Sequence, residues 1–275
     1  MKNLFLAFSL LIAFQLWSQK EGSATVFNAE ITYNNGTTSK GKLDGFIVKK
    51  SLFGGKGDPF ANLESDFNLR DTKFTFYPDG GEKLKLKSEE VSNVKLFKDD
   101  GDVWEFGRFK IMALDKKGNL KETKSELWLP YLRKDEISLL GFSAFDHTGK
   151  YVGTVTLFHR EGDDYVIDPI NLKVLDIFSM RKMMEKTEAG MVEVFKDCPE
   201  TVKLVKGNFE KAQMERATSK EYRKKFMKDI KDLDKRTKKM SVGERMEAQG
   251  DFYSKLYMEG LQPYFDSYNE NCAKN

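Results

Sequence analysis

The chain has 275 residues, 40% hydrophobic and 32% charged, with 46 basic against 43 acidic side chains and a formal net charge of +3. That hydrophobic share excludes a disordered tail and supplies a core for one large domain or two ordinary ones. So small a surplus of positive charge implies by itself no nucleic-acid partner, which calls for a concentrated basic face.

The first element is a leader. Met1-Lys2-Asn3 is a short basic start, Leu4 to Trp17 is almost unbroken apolar sequence, and Ser18 is a small residue suited to a cut that leaves Gln19 first. The run is short of the roughly 20 apolar residues a membrane helix needs. Residues 1–18 are therefore expected to be a cleaved signal peptide. No later segment is apolar and long enough to cross a membrane, and neither cysteine lies near the cut to carry a lipid. The expectation is a soluble protein, periplasmic or secreted.

From Ala24 to about Asp168 the pattern is that of strands and tight turns. Phe27, Ala29, Ile31 and Tyr33 alternate with polar residues, which buries one strand face. Asn35-Gly36 is a hairpin signal, and Gly41–Val48 is the returning strand, with Gly45 marking a bulge. After a Gly- and Asp-rich stretch from Ser51 to Asp71, strands are expected at Lys73–Tyr77, Lys83–Lys87, Val94–Phe97, Val103–Ala113, Leu120–Leu132, Ile137–Phe145, Tyr151–His159 and Tyr165–Ile167. Turn signals at this spacing predict an antiparallel barrel or sandwich over residues 19–171.

Near Leu172 the composition shifts to helix formers, and residues 172–275 read as a helical domain. A helix is expected over Met180–Phe195, then a short one over Glu200–Lys206 with Pro199 in its first turn and Gly207 closing it. Thr218 with Glu221 and Ser241 with Glu244 have the spacing of capping boxes. Tyr222, Phe226, Ile230 and Leu233 form a stripe after the first, and Pro263 is expected to interrupt the helix after the second. The fold class is α+β. Cys198 and Cys272 are the two cysteines; with export they are expected to pair as a disulfide that clasps the helical domain.

Two stretches carry a resemblance: Glu30–Gly36 with Gly41–Gly45, and Phe195–Val202 with the closing Tyr268–Cys272. Together they resemble a group of exported Gram-negative bacterial proteins of unknown function with a β-rich front and a helical tail. The resemblance implies an envelope or secreted location and transfers no catalytic residue.

The candidates for chemistry are few. His147 sits in an Asp-His-Thr-Gly turn and His159 at a strand end, so a cluster of His147 with Asp146 and Asp163 competes with a solvated turn. Asp99, Asp100 and Asp102, or Asp163, Asp164 and Asp168, offer oxygens to calcium but lack the EF-hand spacing. Gly54-Gly55-Lys56-Gly57 lacks the phosphate-loop pattern, and no Gly-x-Ser-x-Gly elbow is present. Asn35-Gly36-Thr37 matches a glycosylation sequon that coincides with the hairpin turn. Trp104, Trp128 and Tyr131 line either a core or a sugar or peptide groove.

The densest charge lies from Lys220 to Lys239, where Arg223, Lys224, Lys228, Lys231 and Lys235 are the candidate contacts to an anionic surface. Pairs such as Glu221–Lys225 and Asp232–Arg236 would instead make this a solvated face. These readings imply no metal, no cofactor and no nucleic acid. They favour a non-enzymatic envelope protein acting on an unknown protein or polymer. The alternatives are a carbohydrate- or lipid-binding module and a hydrolase-like enzyme built on His147.

Overall fold

The computed structural model describes residues 24–48, 64–65, 73–98, 101–115, 118–145, 151–170 and 180–273. Among them eleven strands form one continuous sheet: β1 (Ala24–Tyr33), β2 (Thr38–Val48), β3 (Glu64–Ser65), β4 (Lys73–Pro78), β5 (Leu84–Lys87), β6 (Val91–Phe97), β7 (Val103–Leu114), β8 (Leu120–Arg133), β9 (Ile137–Phe145), β10 (Tyr151–Arg160) and β11 (Tyr165–Asp168). Five helices follow: α1 (Met180–Val194), α2 (Pro199–Val205), α3 (Phe209–Thr218), α4 (Lys220–Thr237) and α5 (Val242–Asn271). The expected leader at residues 1–18, Gly54–Gly57, Asp99, Asp100 and His147 lie outside the described residues.

Strands β7 to β11 close into a five-stranded barrel. Successive strands of this meander run antiparallel, so the first and the fifth point the same way and must join in parallel. They do, with Tyr165 opposite Lys110 through to Asp168 opposite Ala113. The remaining strands continue from the same edge of β7, where β6 pairs Asn93 through Phe97 with Gly107 back to Val103. The sheet then runs through β1, β2 and β4 to β5.

Hairpin chemistry sets these registers. Gly36, Gly101 and Gly118 each take positive φ, and their amides bond the carbonyls of Tyr33, Lys98 and Asp115 three residues back. Gly36 has φ 83°, and the Asn35 side chain accepts from the Thr37 amide and hydroxyl. Gly45, at φ 82°, lies where the β1–β2 register slips, the bulge the sequence indicates.

Alternation on β7 and β8 feeds two cores. Phe109, Ile111, Leu127 and Leu129 point into the barrel with Leu140, Phe142, Val155, Leu157 and Val166. Phe106 and Trp128 point outward and join Ala29, Ile31, Leu43, Phe46, Phe74, Phe76 and Leu96 of the rolled first sheet. Phe46 packs edge-on to Phe74, Phe106 and Trp128, and the Trp128 indole donates to Ser88 Oγ at 2.9 Å. That last bond ties the chain after β5 back onto β8.

A third core joins barrel and helices. Ile137, Leu139, Phe158 and Ile167 leave the barrel's outer face and meet Met191, Val194, Phe195, Val205 and Phe209. Helix α5 adds Leu261, Tyr264, Phe265 and Tyr268, a stripe at helical spacing. Each such side chain is worth about 1.5–3 kcal/mol when fully buried.

Two helix boundaries and one whole helix depart from the sequence reading. Helix α5 runs through Pro263 rather than stopping there, and Gln213 and Arg216 of α3 donate to the nearby carbonyls of Gly260 and Leu256. These bonds, with burial of the stripe on both sides of Pro263, hold a helix that proline alone would break. The N-cap of α4 is Ser219, whose hydroxyl accepts from the Tyr222 amide, while Thr218 bonds back to Met214 and Glu215 and finishes α3. Helix α3 itself has no counterpart in the sequence reading. Among its residues Phe209 is buried and most others are exposed, so it shows little periodicity.

Close approach makes one helical glycine structural. A Cβ on Gly190 of α1 would lie 2.7 Å from Pro169 Cβ and 3.3 Å from the Phe158 ring. Gly190→Ala is expected to lose about 1–2 kcal/mol, overpacking outweighing the helix-propensity gain. Gly243→Ala, with nothing within 4 Å of the added carbon, is expected to gain about 0.5 kcal/mol. Urea unfolding of the two variants should move the midpoint in opposite directions.

Candidate functional site

Two polar regions stand out from the cores, a clamp beside the disulfide and the outer face of α4. Cys198 caps α2 and Cys272 ends α5, and the two form a disulfide with Cα atoms 5.7 Å apart. Glu200 Oε2 lies 4.0 and 3.9 Å from the two sulfurs. With the sulfurs bonded to each other there is no thiolate for a metal, so this group is a covalent clasp rather than a coordination site.

Beside it, Arg160 of β10 makes a fork of bonds at 2.5 and 2.6 Å to Asp197 in the α1–α2 turn and donates to the Val194 carbonyl. The Tyr268 hydroxyl is 3.2 Å from both Asp197 Oδ2 and Glu136 Oε1. Its pKa is pushed up to about 12, first by burial and then by the Asp197 charge. The Arg160 bonds hold the Asp197 carboxyl below its usual range. Barrel, α1–α2 turn and α5 are thereby pinned together by charge-assisted hydrogen bonds. An open cleft of 410 Å³ next to this clamp is lined by Asp135, Glu136, Glu161, Asn269 and Ala273. Its acids are already engaged in part, since Asp135 pairs with Arg133 at 2.6 Å and Glu136 accepts from Tyr268.

The sequence candidates disperse. His147 and Asp146 lie outside the described residues. His159 is buried in the barrel, with its ring 4.5 Å from Phe109 and Nδ1–H donating to the Tyr165 carbonyl at 3.1 Å. Asp164 pairs with Lys110 at 2.7 Å, whereas Asp168 is buried and accepts from the Ile170 amide. These carboxylates do not converge on a cation. Trp128 is 1% exposed and belongs to the core. Trp104 is half-buried at the rim of the same core, with Phe27 at 6.0 Å and Lys98 Nζ 4.6 Å over its ring.

Helix α4 does order its charge. Leu233 and Thr237 are buried, Tyr222, Phe226 and Ile230 are half-buried on the same side, and the helix packs on α3 and α5. At 3.6 residues per turn, Lys220, Lys224, Lys228, Lys231, Lys235 and Lys238 fall in a sector about 80° wide, opposite Leu233. All six are exposed, and α4 ends with Lys238 still in helical conformation. The ridge they form is about 27 Å long at 1.5 Å per residue.

Four of the five residues marked from sequence, Lys224, Lys228, Lys231 and Lys235, stand on this ridge. The fifth, Arg223, is exposed about 100° away around the helix and donates to the Ala217 carbonyl. Lys220 and Lys238 take its place. The signal for them was the repeat of lysines at steps of four and three residues. In place of the i,i+4 pairs of the solvated-face alternative, Lys225 reaches Glu259 of α5 at 3.4 Å, and Asp232 lies 3.7 Å from Lys235.

The chain matches no protein-family model, and neither curated proteins nor solved structures show significant similarity to it. The resemblance drawn from Glu30–Gly36 and Phe195–Val202 gains no support there. Among the described residues no helix is long and apolar enough to cross a membrane.

Two measurements check this description. The Cys198–Cys272 bond closes a loop spanning 74 residues, so the Cys198→Ser/Cys272→Ser variant is expected to be about 4 kcal/mol less stable on the chain-entropy model. Denaturant midpoints with and without the bond give the difference. Burial lowers the His159 pKa below its usual 6.5, so the unfolded chain binds the proton more readily. The contribution of His159 is therefore complete above pH 6.5 and declines as pH falls below it. The stability difference between pH 7.5 and pH 5 should shrink in His159→Gln; an unchanged difference would remove His159 from the pH response.

Proposed function

We propose that this is a non-enzymatic protein of the periplasm or the extracellular space that acts by holding another macromolecule, with the lysine ridge of α4 as its contact surface. The location rests on the leader-like residues 1–18 and fits a chain whose two described cysteines are joined. The observation that carries the contact surface is the ridge itself. Six exposed lysines share one face, and on that face Lys235 alone lies within ion-pair distance of a carboxylate among the described residues.

Other charged groups serve the fold. Arg160, Asp197, Glu136 and Tyr268 clamp helices to barrel, and Lys98 reaches Glu247 of α5 at 3.1 Å. Lining up six like charges on a helix costs stability through i,i+4 repulsion, so the arrangement is explained by a partner of opposite charge rather than by folding.

The test compares two variants of equal net charge on an anionic polymer resin. Lys224→Gln/Lys228→Gln/Lys231→Gln removes ridge charges, while Lys73→Gln/Lys85→Gln/Lys121→Gln removes exposed charges from the β region. The unmodified protein should bind at low salt and leave as salt rises, because screening acts on exposed charges. The ridge variant should elute far earlier than the control variant. Coincident elution of the two variants would show ordinary net-charge adsorption and end this reading.

A further inference from the structure

We infer that the partner on the ridge is a linear acidic polysaccharide lying along α4, with its carboxylates against the lysines in turn. This rests on the ridge being a contact surface and names what occupies it.

The width of the ridge separates a strand from a plane. The lysine sector carries exposed acids at its borders, Glu221 and Asp232 on one side and Asp234, with Arg223 beyond it, on the other. An anionic bilayer is a plane, and pressing α4 onto it would bring those carboxylates towards the headgroups. A single extended chain touches the ridge and leaves both acidic borders in water. Charge complementarity therefore selects a strand over a surface.

Side-chain chemistry then selects among strands. Tyr222 and Phe226 stack on each other at 6.0 Å on the opposite side of the helix, so no aromatic ring faces outward along the ridge to receive a base. The ridge is all lysine, a point charge that holds an anion without the planar fork by which arginine fixes phosphate. Neighbouring lysines are offset by about 4.5 or 6 Å along the axis, since they recur every three or four residues. A polymer with one carboxylate per sugar ring spreads its charges on this scale, whereas polyphosphate crowds them. Met227, 53% exposed, flanks Lys220 and Lys231 and offers an apolar contact to the C–H face of a sugar ring.

The experiment measures binding of the oxidised, exported protein to galacturonate oligomers of increasing length, to polyphosphate and to vesicles containing phosphatidylglycerol, at matched charge concentration and two salt levels. The expected result is an affinity for oligogalacturonate that climbs with length until the chain spans the ridge and then levels off. It should exceed that for polyphosphate or vesicles. Lys224→Gln/Lys228→Gln/Lys231→Gln should weaken it at least about tenfold, and Lys224→Arg/Lys228→Arg/Lys231→Arg, which keeps the charge, should retain it. Glu221→Gln/Asp232→Asn/Asp234→Asn should raise vesicle binding more than oligomer binding. Tighter binding of vesicles or polyphosphate overturns the polysaccharide while leaving the ridge as a contact surface. If none of the three probes is bound even at low salt, both the polysaccharide and the contact surface fall.

Discussion

The parallel pairing of Tyr165–Asp168 with Lys110–Ala113 closes the barrel, and β7 has room for it because β6 leaves that edge beyond Gly107. One twelve-residue strand thus divides an edge between two partners. The same division explains why Phe109 and Ile111 fill the barrel while Phe106 faces a different core. It also ends β11 against the outer surface where the helices begin. The far edge of the sheet is β5, whose Lys85 and Lys87 put charge on a strand that would otherwise invite pairing.

Helices are then held on the barrel by two unlike forces. The apolar stripe of α5 supplies area, which is not directional, and the Arg160–Asp197–Tyr268–Glu136 clamp supplies the orientation. Helix α4 takes part in neither. It stands on α3 and α5, outside the layer that covers the barrel, so its outward face is under little demand from packing. That freedom lets one face be given over to a single residue type.

Legibility in the sequence followed the strength of local chemistry. Glycines with positive φ placed the hairpins, so strand limits agree within a residue or two for most of the β region. Burial was harder to assign. Trp104, Trp128 and Tyr131 read as lining one core or groove, yet the two tryptophans pack with one core and Tyr131 with the barrel's, because the sheet between them is shared. Tertiary bonds from Gln213 and Arg216 overrode the breaking tendency of Pro263, which no local rule anticipates. The lysine ridge was in plain view as composition, but membership depends on angle, and Arg223 fails on that count while Lys220 and Lys238 pass. The barrel's closure left no local trace, since β7 and β11 meet across some fifty residues of chain.

The Cys198–Cys272 bond makes a covalent ring that encloses α2, α3, α4 and α5. A protease in the surrounding medium that cuts the exposed turn at Lys238–Lys239 opens the ring without releasing either piece. The severed ends stay joined through sulfur, and α4 keeps its seat between α3 and α5. Nicked protein would look intact until a reductant separated the fragments. The lysine-rich helix thus sits where a single cut does not detach it.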